Sequence, residues 1–555
     1  MSFEGKIGSD PIFIMTVAEI LARTLRDAGV TRMFGLPGGE ILDFIESARQ
    51  VGIAFTLVRH EATASFMADA LGQLDRRPAV CVSTLGPGAI NMTLGVANAF
   101  LDRSPVVAIT ATIAAAARPY ATHQNLDLNA VYRPFTKAAL TLDGRDTAAH
   151  TAEALREALA PRMGPVHVAL PSDVARLEDV ATGRPAPATW DPPPPSPPAP
   201  ADVVRMVSRL DRVRRPVLLV GLDLDPATAG EPVRRMADAL GAPVFVTPKA
   251  KGLLPEDHPL FCGVCAGVAG DGVIVDFLAG ADLLVGLGYD PVESDKIWHQ
   301  TLPIVSIGPM SIAAGAFAPL DELVGDFGSS IEALLARPIG RSAWTPDEID
   351  AFKTTLRRVL EPAGPPSAGL SPYELTRLLR DCSPRDTIAT TDVGSVKFIV
   401  SQAWTTWAPL AFLESNGLSA MGYGLPAAMA AKLRHPDRPV LCTVGDGGFG
   451  MAMADVETCV RERLPIVIVV FNDSALSLIR VAQARRGYPD YGVGYGPIDF
   501  AMVAAGLGAW SRRATTLAEV EAALDEAWQA GRPAVIDVPV DPAEYAAQAA
   551  RTTHG

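Results

Sequence analysis

Two aspartates, Asp446 and Asp473, stand 27 residues apart in the stretch GDGGFGMAMADVETCVRERLPIVIVVFNDSA at 445–475, and their type and spacing suit an anion held through a cation. A carboxylate inside a glycine-rich turn repels a bare diphosphate. With a hard cation between them, both acids become ligands instead. Backbone N–H groups of Gly447 and Gly448, at the expected start of a helix, face the same anion. A rival reading takes Gly445, Gly447 and Gly450 as GxGxxG, with Asp473 23 residues beyond Gly450 as the ribose-binding acid of a dinucleotide fold. Asp446 counts against it, because that fold carries no acid in its phosphate turn.

The elements that must position these acids are legible around them. An apolar run at 440–444 precedes the turn, apolar Met453, Val456 and Val460 follow at helical spacing, and a second apolar run occupies 466–471. That pattern is strand, turn, helix, strand. A right-handed crossover makes the two strands parallel neighbours, so both acids leave the sheet at one edge.

Other segments carry a resemblance. FGLPGG (34–39), RHEATASFMA (59–68), TLGPGAINMTLGVANA (84–99), RSPVVAITA (103–111), SNGLSAMGYGLPAA (415–428) and the GDG to ND segment, in this order, resemble the thiamine-diphosphate enzymes of the acetohydroxyacid synthase and pyruvate oxidase group. The resemblance spans nearly the whole chain. It implies thiamine diphosphate with Mg²⁺, the metal bound by Asp446, Asp473 and the Ala475 carbonyl. The family often has asparagine where Asp473 stands; an aspartate keeps the geometry and adds one charge.

The same resemblance assigns the remaining roles. Glu61 takes the place of the glutamate that hydrogen-bonds the aminopyrimidine and promotes loss of the C2 proton; by composition alone it reads as a helix N-terminal charge. Met421 takes the place of the bulky residue that props the cofactor in a bent shape, and otherwise reads as core filler. The Ser419 carbonyl would accept from the cofactor's amino group. Pro37, Gly38, Pro87 and Asn91 would line the pyrimidine pocket, and Gly394, Ser395, Gly445, Gly447, Gly448, Ala475 and Leu476 the diphosphate end. THQNLD (122–127) and GYDPVE (288–293) resemble the catabolic acetolactate synthases, which lack FAD, so FAD is not expected. His123 and Gln124 would then face the thiazolium and the substrate; the alternative for His123 is a surface loop. Arg480 departs from the pattern. It is either a solvated charge or a fork for a substrate carboxylate, with Ala482 leaving space beside it.

Bulk properties bound the partners. A chain of 555 residues with net charge −14 does not suit nucleic acid or an anionic membrane surface. No stretch approaches the ~20 apolar residues of a membrane span, and residues 1–13 lack the basic start and apolar core of a secretory signal, so a cytoplasmic location is expected. Six cysteines make no disulfide framework, and the lone CxxC of Cys262 and Cys265 reads as packing. DPPPPSPPAP lies within a connector at 185–201, and EPAGPPSAGLS fills 361–371. Domains are expected at 1–185 (pyrimidine-binding), 202–340 (central) and 365–555 (diphosphate-binding), each an α/β sandwich with a parallel sheet.

The expected activity is decarboxylation of a 2-oxo acid, pyruvate first, with carboligation to a second carbonyl to give 2-acetolactate. A homodimer or homotetramer is expected, with active sites at the subunit interface. Plain decarboxylation or carbon–carbon lysis of a larger substrate, a degenerate regulatory homologue and NAD-dependent oxidoreduction are the alternatives.

Overall fold

The computed structural model describes residues 15–184, 189–265, 267–293, 302–313 and 318–548. The chain forms three six-stranded, fully parallel sheets separated by helices, the expected α/β class. The first contains β1 (Arg32–Leu36), β2 (Ala54–Leu57), β3 (Ala79–Ser83), β4 (Val106–Thr112), β5 (Ala138–Thr141) and β6 (Val166–Pro171), in the order β2-β1-β3-β4-β6-β5. The second contains β7 (Pro216–Val220), β8 (Val244–Val246), β9 (Phe261–Val264), β10 (Leu283–Leu287), β11 (Ile304–Gly308) and β12 (Asp321–Val324), ordered β12-β11-β10-β7-β8-β9. The third contains β13 (Ile388–Thr391), β14 (Phe412–Leu413), β15 (Val440–Gly445), β16 (Val467–Asn472), β17 (Trp510–Arg513) and β18 (Ala534–Pro539), ordered β14-β13-β15-β16-β18-β17. The first and third sheets therefore share one topology. The central sheet differs: read from β9, its order is third, second, first, fourth, fifth, sixth, that of a dinucleotide fold.

Helices on both faces explain why the strands are apolar runs rather than alternating ones. Every residue of β4, β6, β7, β10, β11 and β16 is buried. Each Val or Leu so buried contributes about 1.5–3 kcal/mol. Two compact units result, residues 1–68 with 76–192 and residues 69–75 with 193–555. The second unit holds both later sheets on a shared core, in which Val217, Phe245 and Leu284 join the same cluster as Val396, Leu441 and Val469.

Three local readings change. The helix after Gly445 starts at once, at Asp446, and runs to Ala452; a 3₁₀ turn at Met453–Asp455 then offsets a second helix, Val456–Arg461, so the apolar spacing spans two helices rather than one. The connector ends earlier than its proline content suggests, because Pro200 opens the helix Pro200–Leu210, where its missing N–H costs nothing. Residues 185–188 of that connector lie outside the described residues. The loose stretch at 361–371 separates helices Pro346–Leu360 and Pro372–Asp381, and its end is pinned where Leu370 N–H donates to the Pro539 carbonyl at 2.8 Å.

Candidate active site

Register brings the two acids together. β15 and β16 pair directly, Gly445 opposite Phe471, so Asp446 and Asp473 follow the ends of adjacent parallel strands. Asp446 is buried, and its carboxyl is pushed up to about 6, first by desolvation and then by the charge of Asp473. Its Oδ1 accepts the Gly447 N–H at 2.6 Å. Its Oδ2 is buried with no hydrogen-bond partner among the described residues; the N–H groups of Ser474 and Ala475 ease the carboxyl's charge without closing a bond on that oxygen. Burial also raises Asp473, whose oxygens accept the Ser477 hydroxyl at 2.7 Å and the Ala475 N–H at 3.1 Å. Two facing acids, both penalised by burial and one with an unmet oxygen, fit a divalent cation. Among the described residues no three His, Cys, Asp or Glu side chains gather to hold a metal, so the cation's remaining ligands would be carbonyl, diphosphate or water oxygens.

A cavity of about 150 Å³ opens beside this pair. Gly394, Ser395, Met421, Gly445, Asp446, Gly447, Gly448, Asp473, Ala475 and Leu476 all line it, so nine residues expected at the metal and diphosphate end come together with Met421, expected to set the cofactor's bend. The topology explains the convergence: the strand order reverses between β13 and β15, and the crevice at such a switch point is where open α/β sheets take ligands. Gly394, with φ +123°, caps the helix Ser395–Ala403 and leaves its first turn without a side-chain cap, facing the cavity. Gly447 is required by crowding, because a Cβ there would lie 2.9 Å from the Tyr495 hydroxyl and 3.1 Å from the Met421 methyl. One expectation is modified. The Gly447 N–H is turned onto the carboxylate of Asp446 rather than left open.

Ser419 and Arg480 are not on the cavity wall. Ser419 is exposed, with φ +54° and its hydroxyl donating to the Asn416 carbonyl at 2.9 Å. Arg480 forms an ion pair with Asp490, Nε to Oδ2 2.9 Å, whose alignment falls short of a hydrogen bond.

Sequence reasoning missed the group that holds Met421 in place. Asp392, buried just after β13, accepts the N–H groups of Gly422 at 2.9 Å, Gly424 at 3.4 Å and Val393 at 2.6 Å, and burial pushes its carboxyl up to about 6. A Cβ on Gly448 would lie 2.7 Å from Asp392 Oδ2, so this acid also fixes the turn carrying Asp446. Its signal was in plain sight: TDVGS repeats the pattern of acid after strand and before helix that marks Asp446. Lys397, also missed, is buried, donates to the Ser415 carbonyl at 2.7 Å and pairs with Glu414 at 3.2 Å, tying the SNG stretch to the helix that begins at Ser395.

The first unit holds a second constellation. Glu61 opens the helix Glu61–Asp75, is 4% exposed, and accepts the Asn91 side-chain amide at 3.0 Å. Pro87 begins the helix Pro87–Leu101, and a Cβ on Gly88 would lie 2.9 Å from Glu61 Oε1, so the start of that helix rests on the acid. Gly86 caps the same helix with φ +60°, against the Gln124 side chain. His123 and Gln124 are exposed, as is Pro37; Gly38 packs on the Thr84 side chain. Here too the site follows a switch point, between β1 and β3. Support comes from residues that carry no sequence motif. The Tyr132 hydroxyl donates to the Ala89 carbonyl at 2.5 Å, its ring stacks on His167 at 4.1 Å, and burial pushes that imidazole down to about 3, leaving it neutral between Thr110 and Asn129.

Comparison with known proteins agrees with this geometry. Three domain families match in series: the N-terminal binding domain of thiamine pyrophosphate enzymes at 15–131, their central domain at 203–334 and their C-terminal binding domain at 392–538. The chain is 30% identical to the acetolactate synthase of Bacillus subtilis (strain 168), covering 94% of this chain and 93% of that one. It is 29% identical to the catabolic acetolactate synthase of Raoultella terrigena, over 94% and 95%. It is also 30% identical to the protein named "Probable 2-ketoarginine decarboxylase AruI" of Pseudomonas aeruginosa, over 91% of each chain. The chain belongs to the thiamine pyrophosphate enzymes and is an acetolactate synthase-like, thiamine-diphosphate-dependent enzyme.

Proposed function

We propose that this enzyme decarboxylates a 2-oxo acid, pyruvate first, and joins the remaining two-carbon unit to a second carbonyl, and that Asp446 and Asp473 would hold the Mg²⁺ that binds the cofactor's diphosphate. The observation that carries the metal-bound cofactor is Asp446 Oδ2, buried without a partner beside a second acid on the wall of a cavity. The relatives named acetolactate synthase support ligation as the outcome. When bound, thiamine diphosphate supplies a stabilised carbanion at its C2 carbon, the chemistry no side chain offers. The chain's own residues do the rest. Glu61, fixed by Asn91, holds a proton at the pyrimidine ring; Met421, fixed through Asp392, sets the cofactor's bend; His123 and Gln124 meet the substrate's oxygens.

Glu61 and Asp446 act on one cofactor across two subunits, making a homodimer the least assembly and a homotetramer its doubling. Apolar side chains left exposed beside each constellation support this: Ile90 at 39% and Leu94 at 42% on the helix of Asn91, Met451 at 64% on the helix of Asp446. No described helix is long and apolar enough to cross a membrane; the net charge of −14 supports a cytoplasmic enzyme without nucleic-acid or anionic membrane partners. A flavin-free central domain is supported by the crevice between β7 and β10: a Cβ on Gly221 would lie 2.6 Å from Tyr289 Cα and 2.8 Å from Glu293 Oε2, and Gly288 packs onto Leu224.

A second reading, decarboxylation or lysis of a larger substrate without ligation, is favoured by Arg480, whose charge acts on Asp473 of the cavity wall, and by the relative named for 2-ketoarginine. Purified enzyme loaded with thiamine diphosphate and Mg²⁺, given a panel of 2-oxo acids with and without aldehyde acceptors, separates the two by product mass. 2-Acetolactate from pyruvate supports the first. Free aldehyde alone, from every substrate, overturns it in favour of the second.

A further inference from the structure

Tyr495 belongs to no motif used so far, and it stands at the cofactor site. Its backbone is fixed there: the N–H donates to the Ser474 carbonyl at 2.8 Å, and Ala475 and Gly494 form an antiparallel bridge alongside. The side chain turns back over the GDGG turn, where the Tyr495 hydroxyl, the Met421 methyl and a Leu476 methyl close around the bare Cα of Gly447, at 2.9, 3.1 and 3.2 Å from the point a Cβ would occupy. Met421 and Leu476 line the 150 Å³ cavity; Tyr495 lines a neighbouring cavity of about 260 Å³, and Asp446 and Gly447 form the wall common to both.

The hydroxyl makes no hydrogen bond among the described residues, although Asp446 lines the same cavity as its ring. Desolvation raises the phenol's pKa, and the charges of Asp446 and Asp473 raise it further, which places both acids within electrostatic reach of the ring oxygen. A phenol so placed keeps its proton and offers it. On the proposed reading both acids are taken up by the cation, so the acceptor that a donor at this position meets is an oxygen brought in by the ligand. We propose that the Tyr495 hydroxyl is a cofactor-binding group that donates a hydrogen bond to an oxygen of the cation-bound diphosphate. Phenylalanine would fill the same volume without that bond.

The proposal rests on the reading of Asp446 and Asp473 as the cation ligands, and its test separates the two. Apo-enzyme and its Tyr495→Phe variant are titrated by calorimetry with thiamine diphosphate and, separately, with inorganic pyrophosphate, both in excess Mg²⁺. Tyr495 is 41% exposed, so the loss of one hydroxyl leaves the fold intact, checked by circular dichroism. Both dissociation constants rise by roughly ten-fold or more in the variant, the scale of one hydrogen bond to a charged group. Unchanged constants overturn the proposal. So does a rise for thiamine diphosphate with none for pyrophosphate, which assigns the hydroxyl to the ring system. If the unaltered enzyme binds neither ligand, the cation site itself is wrong.

Discussion

Within the second unit, two parallel sheets reverse their strand order and each presents an acid at the crevice, yet the two crevices differ. Between β7 and β10 the acid is Glu293, 5% exposed, its Oε2 accepting the Leu222 N–H at 2.9 Å and its Oε1 without a partner among the described residues. Between β13 and β15 it is Asp446, likewise with one oxygen unpartnered among the described residues. Burial raises both carboxyls. Glu293 is held well above its ordinary value, packed against Gly221 beside the Tyr289 backbone, whereas Asp446 rises to about 6 beside a second acid and an open cavity. A buried acid has two routes to neutrality, a proton or a cation. The crowded crevice takes the proton, and on the proposed reading the open crevice with paired acids takes the cation. Topology offers a binding place in both sheets, and side-chain volume decides which is used.

Removing the acid at the open crevice gives the largest effect. Asp446→Ala should abolish measurable binding of Mg²⁺ and thiamine diphosphate together, on the order of 10³-fold or more, since both the cation ligand and its partner's neutralisation are lost. Asp473→Asn should cost only a few-fold, because the amide oxygen still coordinates. Calorimetric titration with each ligand checks both, and metal-independent cofactor binding breaks the contrast between the crevices. Next in size is Glu61→Gln, which acts on the proton rather than on the cation. It should retain the cofactor and lose roughly 10²-fold in kcat; a full rate with cofactor bound removes Glu61 from the chemistry.

The sequence discloses the open crevice better than the closed one, for a physical reason. Asp446, Asp473, Gly394 and Met421 sit in short segments whose residue types suit a ligand, so their pattern is local, and the parallel register of β15 and β16 follows from two apolar runs and a helical crossover between. Asp392 is as local as Asp446 but binds only backbone N–H groups, and nothing in TDVGS distinguishes a clamp from a ligand. Tyr132, His167 and Asn129 meet only through β6 and the folding of the first sheet, so no spacing along the chain reports them. Helix continuity misled where the apolar steps of Met453, Val456 and Val460 bridged a 3₁₀ turn, because three-residue spacing fits both helix types.

Arg480 tests how far the open crevice extends. Its guanidinium is already paired with Asp490, so a substrate carboxylate must compete for it. Arg480→Ala should raise KM for an anionic 2-oxo acid larger than pyruvate by about three- to ten-fold and leave pyruvate kinetics nearly unchanged. Steady-state kinetics on a series of 2-oxo acids of increasing length checks it. An unchanged KM across the series confines the open crevice to the cofactor.

Glu293 gives the smallest effect and tests the closed crevice directly. Its carboxyl is raised by burial first, with further pushes from Asp290 and Asp223. The folded enzyme therefore keeps the proton that the unfolded chain releases near pH 4.5. The sign follows: Glu293 contributes its full stability below that pH, and the contribution is lost as pH rises toward the folded-state value, at up to about 1.4 kcal/mol per pH unit. Glu293→Gln keeps the shape and the acceptor for Leu222 without an ionisable group. Other buried acids, Asp392 and Asp537 among them, share the same slope, so the informative quantity is the difference between the two proteins. Thermal unfolding between pH 5 and pH 8 should show the variant gaining on the unaltered enzyme by a few degrees as pH rises. Parallel curves would mean that water or an ion reaches Glu293, and the crevice between β7 and β10 would then be open after all.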